Sequence, residues 1–406
     1  MGVPSTRALC LYGCHGTSIQ RAWYPGSNEK RNYQLMRDEP CAITTRASPS
    51  FLRVGQIELF ARTRKTHELV QIVKFAMKRD FPEIQIAEDQ TDFASGGLPS
   101  VRAVFQMLDI FAERQAKLHA EWLRVGYIQG NMNNDNALLC GRTMDFGPFG
   151  MLEEYNPRLN TWEGDMEGKF AYRNQPSAGQ VILMTLCQAM VAVFAHEENK
   201  QEELIELLQP MLQNYPERWK KYHFENCRKK LGLAKWSAKA EKLYESLEKI
   251  METDKLDFTH FFRGLSNHAR PENFGKNTAA HADKHFKNAI YFSNVGRGED
   301  DTDGRLSGGC RKWLDEWTAL VKETNGAEAE QQQLPLVAEM KATSPAIIPR
   351  NWMMVLAYEA AEKGDFSVVK ELHKLFENPY ADDLPCKWNT RSPEWQYGKL
   401  GVRLMS

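Results

Sequence analysis

The sequence predicts an α+β fold that is mostly helical. Three observations lead there. From Lys65 onward, apolar residues recur at helical spacing in one stretch after another, whereas short apolar runs punctuated by turn residues are confined to residues 5–62. Among the helical stretches lies one polar loop, 129–136, followed by a short apolar run, a Gly141-Arg142 break and Asp145. The chain has 406 residues, enough to bury a large core and to form two or three packed units. Its 52 basic and 53 acidic residues nearly cancel, which removes the general electrostatic case for a nucleic-acid partner or an acidic membrane surface. The best apolar run, 181–195, holds about 15 residues and contains Gln188, well short of the roughly 20 that span a bilayer. It predicts a buried helix and no membrane partner. Eight cysteines without a Cys-x-x-Cys pair predict reduced thiols rather than a disulfide frame.

In chain order, Ala8-Leu9-Cys10-Leu11-Tyr12 and Cys41-Ala42-Ile43-Thr44-Thr45 predict strands of a small lobe over residues 1–62, with 24–38 polar and irregular between them. Arg46 and Arg53 flank a turn containing Pro49. Two arginines so placed can turn planar forks toward phosphate oxygens. A large lobe is expected over 63–265. Leu69, Val70, Val73 and Met77 form its first stripe; Ser100, after Pro99, is positioned to cap a helix carrying Val101, Val104, Phe105, Leu108, Phe111 and Ala112 up to Gly126. Further helices are predicted over 177–195 and 201–214, the second with Leu204, Leu207, Leu208, Met211 and Leu212 on one side.

Residues 266–310 are rich in Asn, Asp, Gly and His, with few large aliphatics, and read as a polar mobile insertion. Glu299, Asp301, Asp303 and Gly304 follow calcium-loop spacing, but Cys310 stands where the bidentate Glu is required, so no EF-hand is expected. His281 and His285, four apart with no Glu directly after the first, read as a solvated helix face. A helical region over 311–406 begins with Trp313, Trp317 and Leu320, and includes a helix at 352–362 that Gly364 stops and Asp365 follows.

The loop carries the chemistry. Apolar-rich residues on either side of Gly141-Arg142 predict a tight II′ hairpin that pairs Cys140 with Thr143 and Leu138 with Asp145. Asn136 and Asp145 would then be diagonal neighbours on one face, about 7–8 Å apart, able to give one hard cation an oxygen each. An Asn and an Asp-Phe-Gly Asp in that relation are how kinase-like catalytic loops hold magnesium against nucleotide phosphates. In the kinase-type loop the proton-accepting carboxylate sits five residues before the metal Asn. Here that position is Asn131, an amide that cannot act as a base. The loop's only carboxylate is Asp135, so a base role falls to it.

Taken together, Asn133-Asn134-Asp135-Asn136, Asp145-Phe146-Gly147-Pro148, Phe170-Ala171-Tyr172-Arg173-Asn174-Gln175-Pro176, Thr44-Thr45-Arg46 with Arg53, and Glu359-Ala360-Ala361-Glu362-Lys363-Gly364-Asp365-Phe366 resemble the selenoprotein O (SelO/YdiU) family of protein adenylyltransferases. The resemblance implies a protein-kinase-like fold with a truncated small lobe and a helical C-terminal extension. It implies transfer of AMP from ATP to hydroxyls of protein substrates, with Mg2+ or Mn2+ as cofactor. Asp135 would be catalytic, Asn136 and Asp145 the metal ligands, and Arg46 and Arg53 the contacts to ATP phosphates, joined by Asp145 through its metal. By the same comparison a glycine-rich strand pair and the ATP-holding lysine would precede Met1, which leaves a non-catalytic scaffold, or a conventional kinase, as alternatives. Family members commonly carry cysteine or selenocysteine third from the end, where this sequence has Leu404, so redox control there is not expected. No targeting segment is evident; a mitochondrial location would follow from the resemblance for a full-length eukaryotic protein, and a cytoplasmic one otherwise.

Overall fold

The computed structural model describes residues 1–22, 36–84, 97–290, 305–325, 329–393 and 395–396. It is a mostly helical α+β structure. The calcium-loop spacing at 299–304 and Leu404 lie outside the described residues.

Strands β1 (Arg7–Ala22) and β2 (Met36–Ala47) form an antiparallel pair with register shifts after Ala8 and Gly13. β2 therefore begins at Met36, inside the stretch expected to be irregular. Leu9, Leu11, Tyr12 and Ile43 on this ribbon are all more than half exposed. The strand region ends earlier than the sequence suggested, because Val54–Arg62 is a helix, α1. Its Val54 and Ile57 are fully buried and join the core of the helical body.

Helix α2 (Thr66–Asp80) buries Leu69, Val70, Val73 and Met77, the predicted stripe. Helix α3 (Val101–Val125) starts as expected at Ser100, whose hydroxyl accepts from Ala103 N at 3.2 Å, and stops at Gly126 with φ 76°. Left-handed backbone there is cheap only for glycine. β3 (Tyr127–Ile128) follows and pairs antiparallel with β4 (Gly150–Met151). Helix α4 (Gln175–Val191) carries Pro176 in its first turn, where a missing N–H costs nothing. The helical run Tyr172–Phe194 is long and apolar enough to cross a membrane by composition, but 56% of that window is buried inside the protein. It is a core helix.

Helix α5 (Glu198–Leu231) continues far beyond residue 214, through Pro210 and Pro216. Packing along α3 overrides the two prolines: Arg218 Nη2 meets Asp109 Oδ1 at 2.7 Å, Tyr222 donates to Glu113, and Asn226 Nδ2 donates to Ala120 O at 3.3 Å.

A second core is built by α6 (Ala238–Asp254), α7 (Phe258–His268), α8 (Ala279–Phe286) and α9 (Gly308–Asn325) with the end of α5. Helix α7 crosses residue 266, the expected start of the insertion. Ala282, Phe286 and Ala289 beyond it are fully buried and belong to this second core. Trp313 and Trp317 donate their indole N–H groups to Leu243 O and Leu231 O, each at 2.9 Å. Helices α10 (Ala329–Thr343), α11 (Asn351–Glu362) and α12 (Ser367–Glu377) are the last described helices. Gly364 at φ 82° ends α11, and Asp365 Oδ1 accepts from Ser367 N at 2.8 Å. A buried ion pair joins Arg350 to Asp257 at 2.6 and 3.0 Å. All eight cysteines are free thiols.

Candidate active site

The polar loop is held from three directions. Gln175, within the Phe170–Pro176 motif, is fully buried. Its Oε1 accepts from Gln129 N at 2.9 Å, and its Nε2 donates to Tyr127 O at 2.9 Å and to Tyr172 O at 3.2 Å. The entry to the loop is thereby clamped to the start of α4. Gly130, at φ 77°, lets the loop pass the Pro148 carbonyl, which a Cβ would meet at 2.3 Å. From the third side the segment before α1 pairs with the loop's far end: Val54 N donates to Ala137 O at 3.0 Å and Leu139 N to Leu52 O at 2.9 Å.

That last pairing changes the expected hairpin. Ala137 bridges Thr143, and Leu138 bridges Arg53. The tight pairing of Cys140 with Thr143 and Leu138 with Asp145 does not form. Leu138 and Leu139 are both fully buried, so the apolar run is drawn into the core against Leu52–Val54 and the turn widens. Gly141 closes it at φ 70° over the stem of Arg114, whose Cβ lies 2.6 Å from where a glycine Cβ would be. Asn136 and Asp145 still bracket the bridge, one residue before Ala137 and two after Thr143.

Within the loop each polar side chain has a distinct task. Asn131 is a brace: its Oδ1 accepts from Asn133 N at 3.0 Å, and its carbonyl accepts from Asn136 Nδ2 at 3.1 Å. Asn134, Asp135 and Asn136 form one turn of 3-10 helix. Asn134 Nδ2 donates to Glu58 Oε2 at 2.8 Å, docking the turn on α1. Asp135 lies beside it against Gly55, in the first turn of α1, so closely that a Cβ on Gly55 would fall 2.1 Å from Asp135 Oδ1. Arg53 Nη1 donates to the Asp135 carbonyl at 3.3 Å. Thus Arg53 and Asp135 are in direct contact.

Arg46 reaches the segment that presents Asp145. Tyr127 donates to Gln129 Oε1 at 2.7 Å and approaches the Asp145 carbonyl at 3.4 Å. Phe146 packs edge-on against Tyr127 and Phe149, and the Arg46 guanidinium sits 5.2 Å above the Phe146 ring. Burial, reinforced by the Asp145 charge and opposed by Arg46, holds the Tyr127 phenol well above its usual range. It stays a neutral donor. Arg46 gives Nε to Thr6 Oγ1 at 2.7 Å and Nη2 to Thr6 O at 2.9 Å. Thr6 in turn bonds Thr143 O and Met144 O, so this arginine is tied to the chain that presents Asp145.

Asn136 Oδ1 and the Asp145 carboxylate are hard oxygen donors of the kind magnesium takes. The Asn136 amide nitrogen is already committed to Asn131, which points the chemistry of that group to its oxygen. The hydrogen bond described for the Asp145 carboxylate is a long one, from Gly147 N at 3.4 Å. The residues fit a divalent cation. Glu58 and Gln175 were missed as parts of the site. Gln175 stood in a motif already noticed, but nothing in the sequence around Glu58 pointed to Asn134.

A family model described as Protein adenylyltransferase SelO matches residues 1–377. Among curated proteins, the chain is similar to "Protein nucleotidyltransferase YdiU" of Aromatoleum aromaticum, 28% identical over 100% of this chain and 69% of the relative. The protein of the same name from Rhodopirellula baltica is 29% identical over 100% of this chain and 70% of its own length. That from Halalkalibacterium halodurans is 28% identical over 97% and 67%.

Proposed function

Taking as premise that this chain belongs to the SelO family of protein adenylyltransferases and is a protein nucleotidyltransferase, we propose that it moves AMP from ATP to a Ser, Thr or Tyr hydroxyl of another protein in a kinase-like cleft around loop 129–145. The observation that supports this reading is the division of labour in the loop. Asn131, at the position of a kinase-type base, is spent bracing the turn, while the exposed carboxylate of Asp135 sits one residue from Asn136. The acceptor hydroxyl gives its proton to Asp135 as its oxygen bonds to the α-phosphorus. The bond from that phosphorus to the oxygen bridging to the β-phosphate breaks, and pyrophosphate leaves. Arg53, beside Asp135, and Arg46, with Nη1 outside its bonds to Thr6, donate to phosphate oxygens. Asn136 and Asp145 would hold Mg2+, or Mn2+, which would set positive charge against the triphosphate.

ATP labelled at the α- or the γ-phosphate, offered with a protein acceptor, tests the assignment. Label is expected on protein only from the α-position. Label arriving only from the γ-position would restore ordinary phosphoryl transfer and overturn the proposal.

A further inference from the structure

Helices α7 and α8 bring together three imidazoles that the nucleotide site does not use. His268 ends α7 and is fully buried, while His281 and His285 lie one turn apart on α8 and are half-buried. One nitrogen from each ring can be chosen so that all three lie within 4.8 Å of one another. His268 Nδ1, His281 Nε2 and His285 Nε2 are each buried without a hydrogen-bond partner. A buried polar atom left unpaired is costly, and each of the three clustered rings carries one.

The tautomer of His268 is fixed from behind. Its Nε2 lies 2.8 Å from Asn277 Oδ1. Asn277 donates its own amide hydrogens to Asp315 Oδ1 at 2.7 Å and Thr318 Oγ1 at 3.3 Å on α9. Its oxygen can only accept, so His268 carries the proton on Nε2 and offers a bare lone pair at Nδ1. A carboxylate or amide behind a ligand histidine is the usual support of a metal site.

We propose that His268, His281 and His285 bind a zinc ion that ties α7 to α8 and, through Asn277, to α9. The donor set is all nitrogen, which suits zinc and disfavours magnesium and calcium, whose ligands are oxygens. Tetrahedral zinc with bonds of about 2.0–2.1 Å needs ligand nitrogens roughly 3.3 Å apart, a modest contraction from the present arrangement. Three protein ligands leave the fourth position to water. None of the residues placed in the nucleotide site lies on these three helices, so the site is separate from the one that takes magnesium.

The test uses the whole chain, stripped with a chelator and dialysed against zinc. About one zinc per chain should remain, and the melting temperature should rise on zinc addition. Cobalt in its place should give the visible absorption of a tetrahedral site without a thiolate charge-transfer band, because no cysteine takes part. The double variant His281→Gln/His285→Gln, changed at half-buried rings so that folding is kept, should lose affinity by on the order of a hundredfold or more and lose the zinc-dependent rise in melting temperature. Asn277→Ala should still bind zinc, about 10–100-fold more weakly. Equal zinc affinity in the native chain and the double variant, a thiolate band with cobalt, or a melting temperature that zinc does not move would each overturn the proposal.

Discussion

Replacing Gln175 with leucine isolates what holds loop 129–136 in place. Leucine keeps most of the volume and the helix propensity but removes both the acceptor for Gln129 N and the donor to Tyr127 O, bonds of 2.9 Å each, together with the longer one to Tyr172 O. Both loop residues are almost wholly buried, so water cannot readily take over. A buried donor or acceptor left without a partner costs about 1–3 kcal/mol, so the two loop groups together predict a loss of about 2–6 kcal/mol. Urea unfolding of the native and variant chains reads this as a shift of midpoint at unchanged slope. Turnover should fall as well, through kcat more than KM, since the loop's entry is released while Arg46 and Arg53, the proposed phosphate contacts, remain. A stability loss below about 0.5 kcal/mol, the range of ordinary surface changes, with turnover unaltered would show that the loop is held by other contacts and refute the reasoning.

Asp145→Ala should abolish nucleotide turnover and leave the melting temperature as it is, because the hydrogen bond described for its carboxylate is long and local; unfolding of this variant would make the residue structural. Gly55→Ala places a methyl 2.1 Å from Asp135 Oδ1, forcing the carboxylate to move, and turnover should drop by on the order of a hundredfold with the fold intact; native turnover would mean Asp135 need not stand where it does. Lys230→Met tests a buried lysine whose ammonium lies 4.0 Å from the Phe262 ring centre and 4.3 Å from that of Phe258. Burial, helped by Arg124 and opposed by Cys227 and Glu121, brings its pKa down to about 7, against about 10.4 for an unfolded lysine. Between those values the unfolded chain holds a proton that the native chain lacks, so this group makes native stability rise with pH and costs most below pH 7. The methionine variant should therefore gain on the native protein most at pH 6–7 and least near pH 10; parallel stability curves would refute the shift.

Much of this protein was legible in its sequence because local rules and tertiary packing agree there. The Ser100 cap, the stripe from Val101 to Ala112 and the stop at Gly126 needed only periodicity and capping chemistry, and α3 adopts them. The helix that Gly364 stops and the free cysteines follow in the same way. Asn136, Asp145 and Asp135 stand out in the sequence as residue types and spacing, since only certain side chains can hold a cation or take a proton, and their roles belong to the proposal. What tertiary structure alone decided lies where a distant segment outbids a local preference. The hairpin at Gly141 widened because Leu138 and Leu139 gain more by burial against Leu52–Val54 than a tight turn offers. Helix α5 runs through two prolines because tertiary packing, along α3 among others, supports it, and the strand-like stretch ending at Arg62 closes as a helix because Val54 and Ile57 fill the core. His281 and His285 read as a solvated pair until the fold set His268, thirteen residues earlier in the chain, against them. Periodicity reports which residues a helix buries, but it cannot report which helix arrives to meet them.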